Sequence, residues 1–519
     1  MTKDIVDGRF CFPLSSPSRL NAIGNLFGVK AVNPDAANVL EIGCGNGGNI
    51  IPLSARYPES RFVGVDPSVE KIESAKKYAS ELNLDNIQFL NQTLQDFEFP
   101  PDKFDYIIAP RIYSWASEVE QDQIFEILKG LLSPNGIGFV AYNTLPGWAS
   151  VQTLRDMMRF HGRYFDDPSE KTLEARRMLE FVSGNFANSD SPYKKVLESE
   201  IEFLDATPYD FVIEDYLSNI NKPCYFYQFI EKANERGLTY LADSDLPSMY
   251  IGNQTQMAVE TLKEIDDIVR LEQYVDFLNN RRYRSTLLVK DTVTINRNLS
   301  ADAVKDLRFL PAYGLVKPIE GISEDEIEEL ELADLQASGR TASLSGNILS
   351  VCFLELIKSS PAPQSLDDIT SAAFSTLKGI PKDEINQVLK DNILDFIFKG
   401  LVLITSDHLG LGRGNREKPE VFKVARLDLT SRDLVPNLRH ELIRLSDDQR
   451  VLAQYCTGKN TKGELVEQIK GLVVRGELNV GINGIPILSE SDDLEKHLLL
   501  YIDAQLDGFD RAGLLVASA

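Results

Sequence analysis

Cysteine and histidine are scarce in this chain. The five cysteines (Cys11, Cys44, Cys224, Cys352, Cys456) are scattered and odd in number, which excludes a disulfide framework. The four histidines (His161, His408, His440, His497) are equally dispersed, none at ligand spacing from a cysteine, so no metal site is expected. Long apolar runs are missing. None approaches the ~20 residues that cross a bilayer, and the first residues, Met1 to Asp7, lack the apolar core of a signal peptide. The expectation is a cytoplasmic protein without membrane insertion. Positive charge is in deficit, with a net charge of −24. Such a surface repels phosphate backbones, so no nucleic-acid partner is expected, while a basic or neutral protein would be steered favourably. What remains is the composition of a globular protein, 43% hydrophobic and 25% charged, and 519 residues exceed one ordinary domain.

The most informative stretch is Val39-Leu40-Glu41-Ile42-Gly43-Cys44-Gly45-Asn46-Gly47-Gly48. It reads as a buried strand, a glycine turn and a helix opening near Asn49. Glycines accept positive φ and let a ligand approach bare backbone, and the following helix start offers unpaired N–H groups. A second strand, Arg61 to Val65, ends in Asp66, an acid placed to take both hydroxyls of a ribose. The pattern predicts a nucleoside-cofactor pocket. Gly43, Gly45 and Gly48 also satisfy the dinucleotide spacing G-x-G-x-x-G. Glu41 discriminates: its carboxylate would crowd a pyrophosphate but suits the ammonium of S-adenosylmethionine.

From Val39 onward apolar strands alternate with helices. Ser68 to Leu82 has helical periodicity, Ile87 to Leu90 and Phe104 to Ala109 read as strands, and Gln121 to Leu132 as a helix closed by Ser133-Pro134-Asn135-Gly136. Gly138 to Asn143 gives the fifth strand, Gly237 to Ala242 the sixth and Ser285 to Lys290 the seventh. The fold class is α/β, a Rossmann-like parallel sheet buried on both faces with ligands at the strands' carboxyl ends. Residues 1–290 form this core, with a helical insertion at about 150–230. Ahead of it, Phe10 to Pro17 and a helix over Arg19 to Val29 form a leader that either covers the cofactor cleft or simply packs on the core. Arg281, Arg282 and Arg284 make the most basic spot, read as ion-pair or dimer contacts rather than a nucleic-acid site. Ser323 to Glu331 reads as an exposed acidic helix. Residues 291–410 form a winged-helix-like middle domain, with helices over Asn347 to Ile357, Ser365 to Leu377 and Lys382 to Lys399 and a strand over Leu401 to Ile404. Residues 411–519 form a mostly helical C-terminal domain of similar order. Neither candidate recognition helix is basic, which favours protein contacts over DNA.

Methyl transfer needs donor and acceptor aligned and close. The ends of strands four and five carry aromatic candidates: Tyr113 and Trp115 on one, Tyr142, Asn143 and Trp148 on the other. Aromatic walls hold a cationic amine and desolvate it, lowering a lysine pKa from its ~10.4 reference so that the neutral nucleophile forms without a dedicated base. Tyr113, Tyr142 or Asn143 would orient that amine.

Glu41-x-Gly43-x-Gly45-x-Gly47 with Asp66 resembles the first two motifs of class I S-adenosylmethionine-dependent methyltransferases. Phe104 to Ala109, Tyr113-Ser114-Trp115 and Tyr142 to Trp148 are similar to a bacterial group with a methyltransferase regulatory segment. That group includes the rickettsial protein-lysine methyltransferases of outer-membrane proteins. The regulatory segment is matched by Glu214 to Leu217, Asn221 to Phe226, Gly237 to Leu241 and Arg282 to Val289, with weaker likeness through Asn437-Leu438-Arg439-His440-Glu441. The resemblance implies cofactor contacts from Glu41, Gly43, Cys44, Gly45, Asn46, Gly47, Asp66, Pro67, Thr93, Leu94 and Ala109, and a substrate path past Tyr113, Trp115, Tyr142 and Trp148. It also implies an outer-membrane or surface protein as acceptor before export, and a homodimer through the helical insertion. Thr93 stands where many class I enzymes have an aspartate for the adenine amino group, and Pro110-Arg111 where a His-Gly pair is expected. Two other functions stay open: methylation of a small molecule, lipid or glycan intermediate, and cofactor-dependent regulation without catalysis.

Overall fold

The computed structural model describes residues 9–97, 101–186, 190–207, 212–316, 328–335, 340–408, 410–482, 485–488, 490–491 and 493–517. A seven-stranded sheet is built from β1 (Asn38–Ile42), β2 (Arg61–Asp66), β3 (Ile87–Asn91), β4 (Phe104–Ala109), β5 (Leu132–Asn143), β6 (Leu238–Asp243) and β7 (Tyr283–Lys290), in the order β3-β2-β1-β4-β5-β7-β6. The first five strands run parallel, and β7 is antiparallel to both neighbours. Every residue of β4 is buried, as expected of a strand covered on both faces. Strand order reverses between β1 and β4, and such a switch point opens a crevice at the carboxyl ends.

Helices α1 (Pro17–Leu26), α2 (Ile50–Arg56), α3 (Val69–Glu81) and α4 (Glu118–Leu131) flank the sheet. Ser117 closes a capping box with Glu120 at the start of α4. The expected turn at Ser133 to Gly136 is instead taken up into β5, whose pairing with β4 shifts register between Phe104 and Tyr106. The insertion consists of α5 (Gly147–Gly162), α6 (Pro168–Asn185) and α7 (Pro192–Ala206). These helices bury a core of their own around Trp148, Leu154, Met158, Leu179, Leu197 and Tyr216. Helices α8 (Phe226–Glu235), α9 (Gln256–Leu262) and α10 (Ile268–Asn279) return the chain to β7. The basic spot resolves into ion pairs: Arg281 to Asp243 at 2.9 Å, Arg282 to Glu200 at 2.8 Å, and Arg284 to Glu272 and Asp276 at 2.9 and 2.8 Å.

Strand β8 (Arg308–Pro311) leads into the middle region, followed by β9 (Tyr313–Leu315), β10 (Glu329–Asp334) and β11 (Thr341–Ser345). The acidic helix read over Ser323 to Glu331 is corrected at its end. Glu329, Leu330 and Glu331 begin β10, where Leu330 and Leu332 are buried between exposed glutamates, a period-two pattern. The part at 323–327 lies outside the described residues. Helices α11 (Asn347–Ser359), α12 (Leu366–Thr376) and α13 (Lys382–Lys399) pack together before β12 (Val402–Thr405), which pairs with β8. The C-terminal region runs α14 (Lys423–Asp428), the hairpin β13–β14 (Leu434–Pro436, Leu442–Arg444), α15 (Asp447–Tyr455), α16 (Lys462–Val474), β15–β16 (Gly481–Ile482, Ile485–Pro486) and α17 (Leu494–Arg511). It docks against the core: Arg9 pairs with Asp428 at 2.8 Å, and Arg56 donates to the Leu438 carbonyl at 2.9 Å.

Candidate active site

The glycine turn after β1 is held at positive φ by Gly43, Gly45 and Gly47, at 73°, 54° and 82°, where a side chain would strain the backbone. A Cβ on Gly45 would meet nothing nearer than Lys71 Cδ at 3.9 Å, so the turn presents an open backbone face. Gly48 serves differently: its Cβ would fall 2.6 Å from the Arg9–Phe10 backbone, and only glycine admits the leader at that distance. Asp66, at the end of β2, is 8% exposed. It accepts the Gly45 N–H at 2.9 Å on one oxygen and the Ser68 N–H at 2.9 Å on the other, which leaves a lone pair on each for a vicinal diol.

The expected cofactor residues thus fall along one edge of the sheet. Glu41, Gly43, Cys44, Gly45, Asn46 and Gly47 belong to β1 and its turn, and Asp66 and Pro67 to the end of β2, tied to β3 by Asn91 Nδ2 at 3.1 and 2.9 Å from their carbonyls. Thr93 and Leu94 follow β3, and Ala109 ends β4. Thr93 is exposed and gives its hydroxyl to Asp96 at 2.7 Å.

Glu41 is buried, at 1% exposure. Asn49 Nδ2 donates to its Oε2 at 3.0 Å. Burial pushes the Glu41 carboxyl up to about 8, against that hydrogen bond and with the added repulsion of Asp66. Asn49 Oδ1 accepts the Phe12 N–H at 2.9 Å and faces His440 Nε2 at 2.7 Å. Sequence reasoning missed both Asn49 and His440; the glycine motif ends one residue before the first, and the second is 391 positions away from it.

Beside this edge lies a cavity of about 390 Å³. Phe10 and Phe12 of the leader, Trp148, Phe203, Tyr216 and Tyr283 give it aromatic walls, Leu434 and Leu442 of the β13–β14 hairpin line another side, and Arg111, Asn143, Thr207, Asp215 and Arg282 supply its polar groups. Arg111 pairs with Asp215 at 2.8 Å and lies 5.2 Å over the Trp115 ring. The Asn143 N–H donates to Ser114 Oγ at 2.8 Å, and its Nδ2 donates to Asn221 Oδ1 at 3.2 Å. Trp148 and Asn143 therefore reach the chamber directly, and Trp115 stands behind Arg111.

Tyr113 and Tyr142 do not line this chamber, and their proposed role in orienting an amine is corrected. Tyr142 is fully buried, stacks on Phe229 at 4.2 Å and meets Thr286 Oγ1 at 3.1 Å. Tyr113 is packed among Phe125, Tyr142 and Phe229 at 5.0 to 5.7 Å. Helix α8 brings Phe229 over them and makes them core. Tyr142→Phe should therefore keep methyl-transfer kcat and KM within two-fold and lose about 0.5–1.5 kcal/mol of stability with the Thr286 hydrogen bond. Denaturant melts and initial rates check both halves.

A methyltransferase-domain profile matches residues 33–182, a predicted methyltransferase regulatory domain 209–290, and a PKMT C-terminal winged-helix domain 417–514. An uncharacterised protein of Rickettsia prowazekii is 32% identical over 510 residues, which span 97% of this chain and 92% of that one. The structure of PKMT2 from Rickettsia typhi in complex with AdoHcy is 30% identical and superposes with a TM-score of 0.88 over 98% of this chain and 99% of that one. The buried carboxyl, the open glycine face and the acid ending β2 suit an ammonium, a sulfonium-bearing chain and a ribose in turn. With the sheet order, the site and full-length likeness in agreement, the chain belongs to the class I S-adenosylmethionine-dependent methyltransferases that carry the regulatory and PKMT winged-helix domains, and S-adenosylmethionine is its cofactor.

Proposed function

We propose that this enzyme methylates the side-chain amine of lysine in a protein. The observation that carries the reading is the aromatic chamber at the ends of β4 and β5, next to the cofactor edge and sharing the Phe10–Phe12 wall with it. The bound cofactor supplies a methyl group on a sulfonium, displaced in line. The chain's part is to hold the amine. Phe12, Trp148 and Tyr283 offer ring faces to a lysine ammonium and exclude water, which disfavours the charged form and frees the lone pair. Asn143, with its Nδ2 given to Asn221, has its carboxamide oxygen left to accept from that amine. Likeness to PKMT2 and to the PKMT winged-helix domain supports a protein acceptor.

The resemblance to the rickettsial enzymes extends the proposal to an outer-membrane or surface protein, methylated in the cytoplasm before export. A homodimer through α5–α7 is part of it, supported by the exposed Phe160, Tyr164, Leu173 and Phe181. A small-molecule acceptor is the second reading, favoured by the mostly apolar lining of the chamber. Mass spectrometry of a lysate incubated with enzyme and methyl-labelled cofactor separates the two. Label on lysine is expected; label confined to the low-mass fraction overturns the proposal. Asn143→Ala should cut kcat by about ten- to a hundred-fold, as loss of an orienting contact does, with the AdoHcy dissociation constant unchanged by calorimetry.

A further inference from the structure

Asn49 is 3% exposed and is contacted by three distant parts of the chain. Its Nδ2 holds Glu41 Oε2 at 3.0 Å and Ser15 Oγ at 3.2 Å, while its Oδ1 takes the Phe12 N–H at 2.9 Å and His440 Nε2 at 2.7 Å. A carboxamide oxygen can only accept, so the proton in the last contact is on His440 Nε2. With both ends engaged, the amide cannot turn over without breaking the bond to Glu41.

His440 reaches this position because the turn that carries it is rigid. Asn437 accepts the Arg439 and Glu441 N–H groups on Oδ1 at 2.9 and 2.8 Å and donates Nδ2 to Glu441 Oε2 at 2.8 Å. The Leu438 N–H is held by Gly513 at 2.8 Å, and the Leu438 carbonyl by Arg56 of α2 at 2.9 Å. At its tip His440 has a φ of +63°, a left-handed conformation that is strained outside glycine and persists only where surroundings enforce it. The turn connects β13 to β14, the hairpin whose Leu434 and Leu442 line the acceptor chamber.

We infer that the C-terminal domain completes the cofactor site, with His440 acting through Asn49 as a positioning residue that fixes the Glu41 carboxyl for the cofactor's amino group. The inference rests on Glu41 as the partner of that group. Docking of the β13–β14 hairpin and binding of the cofactor are then one coupled event, and the same hairpin shapes the acceptor chamber. A chain whose C-terminal domain lifts off its core would hold the cofactor weakly and lose one wall of the acceptor chamber.

The test uses the full chain and AdoHcy, with dissociation constants from calorimetry. His440→Asn, which tolerates the left-handed backbone but is too short to reach Asn49, should weaken binding about ten-fold. His440→Gln restores an N–H donor of sufficient length and should recover binding to within three-fold. In a Glu41→Gln background, His440→Asn should cost less than two-fold more, because the group it positions has been changed. Hydrogen exchange on the unmodified chain guards against a folding defect: AdoHcy should slow exchange of the amides at 438–442 at least five-fold. If Glu41→Gln binds AdoHcy as tightly as the parent chain, the assignment of Glu41 is wrong. If Glu41→Gln weakens binding while His440→Asn does not, or if exchange at 438–442 ignores AdoHcy, the coupling is overturned and Glu41 stands.

Discussion

Arg284→Ala should destabilise the protein by about 3–5 kcal/mol, the cost of removing one partner from a buried ionic group. Arg284 is fully buried in β7. Its Nε and Nη2 fork onto the two oxygens of Asp276 at 2.8 and 2.9 Å, its Nη1 reaches Glu272 at 2.9 Å, and its Cζ lies 3.6 Å over the Phe226 ring. Without the guanidinium, the buried carboxylates of Glu272, Asp276 and Asp243 would face one another, with the Tyr240 hydroxyl donating to Glu272 and Arg281 left 2.9 Å from Asp243 and 3.7 Å from Asp276. Lysine should not rescue the variant, since one ammonium cannot reproduce the fork. The pH dependence identifies the cause. Burial already raises the pKa of Glu272 and Asp276, with Arg284 opposing it. Removing that opposition raises both further, so the variant's deficit should be largest near pH 8 and shrink as falling pH protonates the two acids. A deficit that denaturant melts find constant from pH 5 to 8 would point to lost packing on Phe226 instead. Because β7 pairs with β5 through Asn143 and Tyr283, this cluster also holds the chamber's polar edge in place.

The glycine turn, Asp66 and all seven strands were legible because each is a local pattern: an apolar run, a run of glycines, an acid at a strand end. The ion-pair role of Arg281 to Arg284 was legible for a similar reason, since a lone basic spot on an acidic surface finds carboxylates. The acceptor chamber was only half legible. Asn143 and Trp148 follow from their place at and just after the end of β5, but Phe10, Phe12, Leu434 and Leu442 meet there only after folding brings segments more than 400 residues apart to one edge. Tyr113 and Tyr142 misled because a position near a strand end does not say what covers it; Phe229, brought by α8, buries both. Glu329 to Glu331 misled because abundant glutamate suggests helix, while the alternation with Leu330 and Leu332 that makes a strand spans only four residues. The Asn49–His440 contact leaves no local mark at all.

AdoHcy binding should tighten about ten-fold per pH unit from pH 6 towards 8 and then level off, each unit representing about 1.36 kcal/mol. The cause is Glu41, whose carboxyl burial holds at about 8. At pH 6 the group is protonated, yet pairing with an ammonium requires the anion, so binding must expel a proton. Above 8 the proton is already gone and that cost vanishes. Calorimetry at pH 7 in two buffers of different ionisation enthalpy should register close to one proton released per AdoHcy. Glu41→Gln should flatten the profile and hold it near the weak end. The stability of the ligand-free chain should follow the opposite sign. A carboxyl raised above its unfolded value of about 4.3 contributes most below that pH, and the contribution is lost as pH rises through its folded pKa. The rise in melting temperature produced by saturating AdoHcy should therefore be larger at pH 8 than at pH 6, because the ligand then meets an anion that the empty site holds at a cost. A dissociation constant that stays level from pH 6 to 8 would place the ammonium elsewhere and leave the buried carboxyl of β1 to hold Asn49 alone.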